Sequence, residues 1–266
     1  MKGLQRIDLA FTATKNRNEA ALIAFLTAGH PDLAMTERLV LSLSEAGADL
    51  IELGIPFSDP LADGPVIQRS SQLALEKGFS IDSIPELVYR LRRKIVTPLL
   101  LMSYCNPILS QGLDRFLKTI AEVEVDGLII PDLTLEESAT LHKKCAENGL
   151  ALVMLVAPTS PPERIEALAK ATTGFLYTVS LKGVTGSRQT LPAGVIPFLR
   201  QVKKLSPQPV AIGFGLSKPE QVSEVSQIAD GVVVGSAFVK LVDRYGRLSP
   251  MIVSTLAKRL KKATRR

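Results

Sequence analysis

The stretch LIELGIPFSDPLADGP, residues 50–65, opens as an apolar strand and closes as a stiff, acidic loop. Glu52 lies inside the strand, Asp59 and Asp63 follow in the loop, and Asp49 stands just upstream. Pro56, Pro60 and Pro65 restrict the loop backbone, so its carboxylates are held rather than waving in solvent. An ionised carboxylate at the end of a buried strand is costly unless it is paired or put to use. Which of the two applies depends on what the strand belongs to.

Seven other apolar runs resemble this strand: ALIAFLTAG (21–29), TPLLLMSY (97–104), DGLIIPD (126–132), LALVMLVAP (150–158), GFLYTVS (174–180), QPVAIGFG (208–215) and DGVVVGSA (230–237). All are rich in Val, Ile and Leu without polar alternation, as strands covered on both faces should be. Between them lie helical patterns. Residues 32–46 place Leu39, Leu43 and Ala46 on one stripe and Glu37, Arg38 and Glu45 around the other side; residues 135–148 and 162–172 behave similarly. Gly47, Gly149 and Gly174 fall where helix C-caps belong. Strand starts recur roughly every 20 to 30 residues, the period of a βα unit. Eight such units predict a closed (β/α)8 TIM barrel of α/β class. The competitor, an open doubly wound sheet, calls for a glycine-rich dinucleotide turn after the first strand, and TAGHPD is not one. The opening GLQRIDLAFTAT reads as an extra N-terminal helix plugging the barrel's N-terminal end. With no linker or repeat in view, residues 1–266 are read as a single barrel domain.

Composition narrows the function. A hydrophobic fraction of 46% supplies a large core, and a charged fraction of 22% argues against wholesale disorder. No run reaches the roughly 18 apolar residues of a bilayer span, and the start has no secretory pattern, so a soluble cytoplasmic protein is expected. Cys105 and Cys145 have neither metal nor disulfide spacing and read as structural thiols in a reducing compartment. The net charge of +6 is concentrated in KRLKKATRR (258–266), read as a solvated helix end and frayed tail. No aromatic residue interleaves with that run, so a base-stacking surface is absent and nucleic acid is not an expected partner.

In a barrel of this kind the active site lies at the C-terminal ends of the strands. Glu52 is placed there, either as an ion-pair member or as a pocket carboxyl of raised pKa able to give and take a proton. Asp63, just before a helix start, offers a second carboxylate across the pocket, the arrangement that divides a proton-transfer task. Asp59 is either a turn residue or a third functional acid, and Asp49 a turn residue before the strand. KGVTGSR (182–188), GFGLSKPE (213–220) and VVGSAFVK (233–240) follow the last three strands. Gly215, Gly235 and Ser236 there would let backbone N–H groups approach an anion, as in phosphate-binding barrels. The stretch 181–194 is long, polar and glycine-hinged and reads as a lid. His30 and His142 show no partner in sequence and read as a loop and a surface residue. No cluster has metal-ligand spacing, so no metal is expected. Nor is there a P-loop, a nucleophile elbow, or a lysine at a strand end.

The segments LIELGIPFSDPLADGPVIQ, LMSYCNPIL, GLIIPDL, GVTGSR, GFGLSKPEQV and VVGSAFVK, in that order, resemble the tryptophan synthase alpha subunit family across about residues 4 to 245. The resemblance implies a lyase that cleaves indole-3-glycerol phosphate to indole and glyceraldehyde 3-phosphate. It implies Glu52 and Asp63 as the catalytic pair, and Gly186, Gly215, Gly235 and Ser236 as the phosphate set. Phe25, Tyr104, Ile129, Tyr177 and Phe214 would line the indole pocket, and Thr185 would be the lid threonine that approaches Asp63. Asp59, Pro60, Asn106 and Asp132 would face a beta subunit in an αββα heterotetramer. No cofactor is implied for this chain; pyridoxal phosphate would belong to the beta subunit. The sequence departs from some family members at Leu181 and Lys182, where the lid begins. Two rivals differ in kind: another phosphate-binding barrel of the same pathway, and a non-catalytic activator of the beta subunit with impaired lyase activity.

Overall fold

The computed structural model of the chain describes residues 3–179, 191, 194–213 and 215–266. The first half runs α1 (Leu4–Asn16), β1 (Ala21–Thr27), α2 (Leu33–Glu45), β2 (Leu50–Gly54), α3 (Pro65–Glu76), α4 (Ile84–Arg92), β3 (Leu99–Met102), α5 (Cys105–Ser110), α6 (Leu113–Glu122) and β4 (Gly127–Ile129). The second half runs α7 (Ala139–Glu147), β5 (Ala151–Val156), α8 (Pro162–Ala171), β6 (Leu176–Val179), α9 (Val195–Leu205), β7 (Val210–Gly213), α10 (Pro219–Ser226), β8 (Gly231–Val234), α11 (Ser236–Tyr245) and α12 (Ser249–Ala263). The strands pair in sequence order, all parallel, and β1 closes on β8. All eight apolar runs are thus strands of one closed barrel.

The two-residue period of each strand divides its side chains between two cores. Leu22, Ile51, Leu53, Leu99, Leu101 and their equivalents point outward and pack under the helices. Ile23, Leu50, Leu100, Val153, Phe175 and Ala211 fill the interior. The interior core also takes Ile7 and Phe11 from α1, with the Phe11 ring 5.5 Å from that of Phe175. The expected N-terminal plug is therefore present, and Gly231 makes room for it: a Cβ there would lie 3.2 Å from the Phe11 ring.

At the same end, each even-numbered strand is preceded, within three residues, by a side chain that accepts an N–H near the start of the strand before it. Asp49 takes Leu22 N–H at 2.8 Å, Asp126 takes Leu99 N–H at 2.8 Å, Thr173 takes Leu152 N–H at 2.7 Å, and Asp230 takes Val210 N–H at 2.8 Å. Such N–H groups lie beyond the ladder and need an acceptor when buried. Asp49 is thus more than a turn residue: it also pairs with Arg17 and Lys261.

Two expectations change. The helix read over 135–148 starts only at Ala139, because Ser138, Thr134 and Glu137 form local hydrogen bonds and Glu136 pairs outward with Arg164. The basic end is not frayed. Ala20 N–H bonds Thr264 O, and Arg266 donates to Ser226 O and Ala229 O at 2.7 and 2.8 Å. Lys261 bridges Glu19 and Asp49, so part of the basic run is ion-paired at the barrel base.

Candidate active site

Glu52 occupies the middle of β2, paired in register with Phe25 on β1 and Leu100 on β3. Leu50, two residues earlier, fills the inner core, so the strand period aims Glu52 into the interior one step nearer the C-terminal mouth. Its side chain is fully buried, and neither carboxylate oxygen has a hydrogen-bond partner among the described residues. Burial without compensation raises its pKa to about 8. The ion-pair reading therefore gives way to the pocket carboxyl, protonated at neutral pH.

Asp63 reaches the same mouth from the loop after β2. That loop leaves the barrel with Ile55 N–H still bonded to Met102 O at 2.8 Å, then turns through Leu61 N–H to Asp59 O and Asp63 N–H to Pro60 O. Gln68, one turn into α3, donates to Asp63 O at 3.0 Å and to Pro60 O at 3.4 Å, fastening the loop to the helix. α3 is in turn joined to the barrel by a 2.6 Å hydrogen bond between Ser70 and Thr27 at the end of β1. Asp63 is half-buried, and burial lifts its pKa to about 6 against the opposing pull of the Tyr104 hydroxyl, which donates to it at 3.2 Å. The two carboxyls thus differ in the expected direction: near neutral pH one is largely protonated and the other largely ionised.

Apolar side chains wall the space between them. Phe25, Tyr104, Ile129 and Tyr177 are all buried. Burial raises the Tyr177 phenol well above its usual range, with Glu52 and Asp63 adding to the effect, so it faces both acids as a neutral group. Phe25 lies against backbone on two sides: a Cβ at Gly54 would be 2.5 Å from its ring, and one at Gly235 would be 3.0 Å away. Likewise a Cβ at Gly213 would meet the Tyr177 hydroxyl at 2.7 Å. Gly54 and Gly213 were not singled out in the sequence, although Gly54 stands two residues beyond Glu52 and so faces the same way. Met102, facing both Phe25 and the inner core, was missed as well because it reads as ordinary packing.

Gly235 and Ser236 begin α11 beside Phe25, with Gly235 as N-cap, and Gly215 adopts φ +68 after β7. A helix N-terminus at this mouth is suited to an anion. Gly186, Phe214, Thr185 and the Leu181–Lys182 pair lie outside the described residues. Asp59, Asn106 and Asp132 line one outer cavity of about 490 Å³ with Phe57, Leu61, Ala62, Tyr104 and Pro131, and Pro60 lies in the same loop. Asp132 also accepts Cys105 N–H at the start of α5. His30, read without a partner, is buried and 2.8 Å from Asp243. His142 is half-buried rather than fully exposed. Among the described residues no group of three His, Cys, Asp or Glu could hold a metal ion, and no helix is long and apolar enough to cross a membrane.

The model of the family described as "Tryptophan synthase alpha chain" matches residues 11–265. A relative of that name from Carboxydothermus hydrogenoformans is 47% identical over 242 residues, covering 91% of each chain. Another from Synechococcus elongatus is 46% identical over 258 residues, covering 97% of this chain and 96% of its own. Among solved structures, a chain of Mycobacterium tuberculosis tryptophan synthase aligns over 100% of both chains with a TM-score of 0.91 and 33% identity. A chain of the tryptophan synthase complex from Pyrococcus furiosus aligns with a TM-score of 0.85 and 39% identity, over 91% of this chain and 98% of its own.

Proposed function

Because the chain belongs to the tryptophan synthase alpha chain family, a family of carbon–carbon lyases, we propose that Glu52 and Asp63 divide the cleavage of indole-3-glycerol phosphate between them. The protonated Glu52 gives its proton to C3 of the indole, turning the ring into an electron sink. As the bond from C3 to the glycerol carbon breaks, the Glu52 carboxylate takes the proton of the adjacent hydroxyl. Indole and glyceraldehyde 3-phosphate result, and Glu52 ends protonated, as it began. Asp63, ionised, accepts a hydrogen bond from the indole N–H and stabilises the positive charge that develops there.

The observation that carries this reading is the fully buried Glu52, without a hydrogen-bond partner among the described residues, a group whose raised pKa suits both halves of the proton shuttle. Phe25, Tyr104, Ile129, Tyr177 and Phe214 form the wall for a flat heterocycle. Gly186, Gly215, Gly235 and Ser236 take the phosphate, with the α11 N-terminus as its main attraction. Thr185 is assigned the role of the lid threonine that acts at Asp63, as the family resemblance implies. The scheme needs no metal or cofactor on this chain, whose residues work as one barrel domain in the cytoplasm.

The solved tryptophan synthase complexes among its neighbours support a beta subunit as partner, and we place it against Asp59, Pro60, Asn106 and Asp132 in an αββα assembly. Pyridoxal phosphate then belongs to that subunit, which condenses the indole with serine. The test is to supply indole-3-glycerol phosphate to the chain with and without a beta subunit and measure both products. Equal yields of indole and glyceraldehyde 3-phosphate, formed faster with the partner, are expected. Stimulation of the partner without any indole release would instead favour the non-catalytic activator.

A further inference from the structure

Tyr104 does more than wall the pocket. As N-cap of α5 it is extended (φ −81, ψ 163) and buried, with its phenol turned toward the loop after β2. The hydroxyl accepts Ala62 N–H at 3.0 Å and lies 3.2 Å from a carboxylate oxygen of Asp63. A phenol has one proton, and the Ala62 bond uses an acceptor site, so that proton goes to Asp63. The ring also lies 5.3 Å from the Phe57 ring, so Tyr104 holds the loop at Phe57, Ala62 and Asp63. Its own position is fixed by the next residue, since Cys105 N–H donates to both Asp132 oxygens at 3.0 and 3.2 Å. Among the described residues no other side chain or backbone group donates to the Asp63 carboxylate. For packing alone a phenylalanine would serve, without a buried hydroxyl to satisfy.

We infer that Tyr104 is the positioning residue of Asp63, holding its carboxylate turned into the pocket from the side on which the outer cavity opens. The inference rests on the lyase reading above, in which Asp63 acts as an anion. Among the described residues, the charged and titratable groups around this pair are Glu52 from β2, Tyr177 from β6, Asp132 after β4, and Asp59 in the same loop. These are all acids or phenols, so among the described residues the Tyr104 proton is the contact that favours the ionised Asp63. Deleting it leaves an anion among acids.

The test is Tyr104→Phe, assayed for indole release from saturating indole-3-glycerol phosphate across pH, with the beta subunit present. Loss of a hydrogen bond to a charged group predicts a fall in kcat of about tenfold near neutral pH. The acid limb of the profile moves to higher pH while the alkaline limb stays, a split that simple loosening of the fold does not produce. Tyr104→3-fluorotyrosine keeps the bond and strengthens the donor, so its acid limb moves to lower pH, and it serves if the phenylalanine variant does not fold. Acid limbs that coincide with the parent's in the folded variants overturn the inference. Asp63→Asn in the same assay separates the two levels: full activity there removes Asp63 from the reaction, whatever the Tyr104 variants do.

Discussion

At the scale of single residues, the site is defined by what Glu52 lacks. In the unfolded chain it titrates in the usual carboxylate range, near 4.5, and in the fold burial raises it to about 8. Between those values the unfolded state loses its proton while the folded state keeps it, so stability falls as pH rises through that window. At pH 7 the difference costs on the order of 3 kcal/mol. Glu52→Gln, neutral at every pH, is therefore expected to resist urea better than the parent at pH 7 to 8 and to match it near pH 4. Carboxyl-labelled NMR should show one glutamate titrating near 8 that disappears in the variant. Gly54→Ala tests the wall: its methyl group meets the Phe25 ring and must push it into the pocket, raising KM for indole-3-glycerol phosphate with little loss of fold. Glu52 was legible in the sequence because a charge interrupts an apolar strand. Gly54 and Gly213 were not, because a glycine's neighbours across a barrel cannot be read from one strand.

Among the elements, the recurring feature is the acceptor at the base of every even strand. Its members are not equal. Asp126 is fully buried between Arg92 and Arg6, whose side chains are 8% and 12% exposed, whereas Asp230 meets a Lys203 side chain that is 39% exposed. Asp126→Ala strands a buried arginine and should cost about 3 kcal/mol in urea unfolding. Asp230→Ala should cost about 1 kcal/mol. Both variants should keep the lyase activity of the folded protein, since the clamps lie at the end opposite the site. The strands were legible because burial on both faces removes polar alternation. The late start of α7 was not, because residues 135–138 carry a helical composition but spend their polar groups on one another and on Arg164. Nor was the docked C-terminus, whose basic run looks solvated until Glu19, Asp49 and the carbonyls of Ser226 and Ala229 are brought to it.

For the molecule as a whole, the closed barrel brings Glu52, Asp63 and the loop proposed to face the beta subunit to one mouth. The segment between β2 and α3 joins them, with Asp63 turned inward and Asp59 and Leu61 outward. Leu61 is 92% exposed, an unusual place for a large apolar side chain beside a cavity that also holds Phe57 and Pro131. Leu61→Ser should weaken beta-subunit binding about tenfold while leaving the basal rate of indole release in place. All of this depends on Glu52 performing the proton transfers. The most direct test is indole release from saturating indole-3-glycerol phosphate by Glu52→Gln with the beta subunit bound. The account predicts a folded, partner-binding protein whose rate has fallen by at least about a thousandfold. A rate equal to the parent's would contradict it.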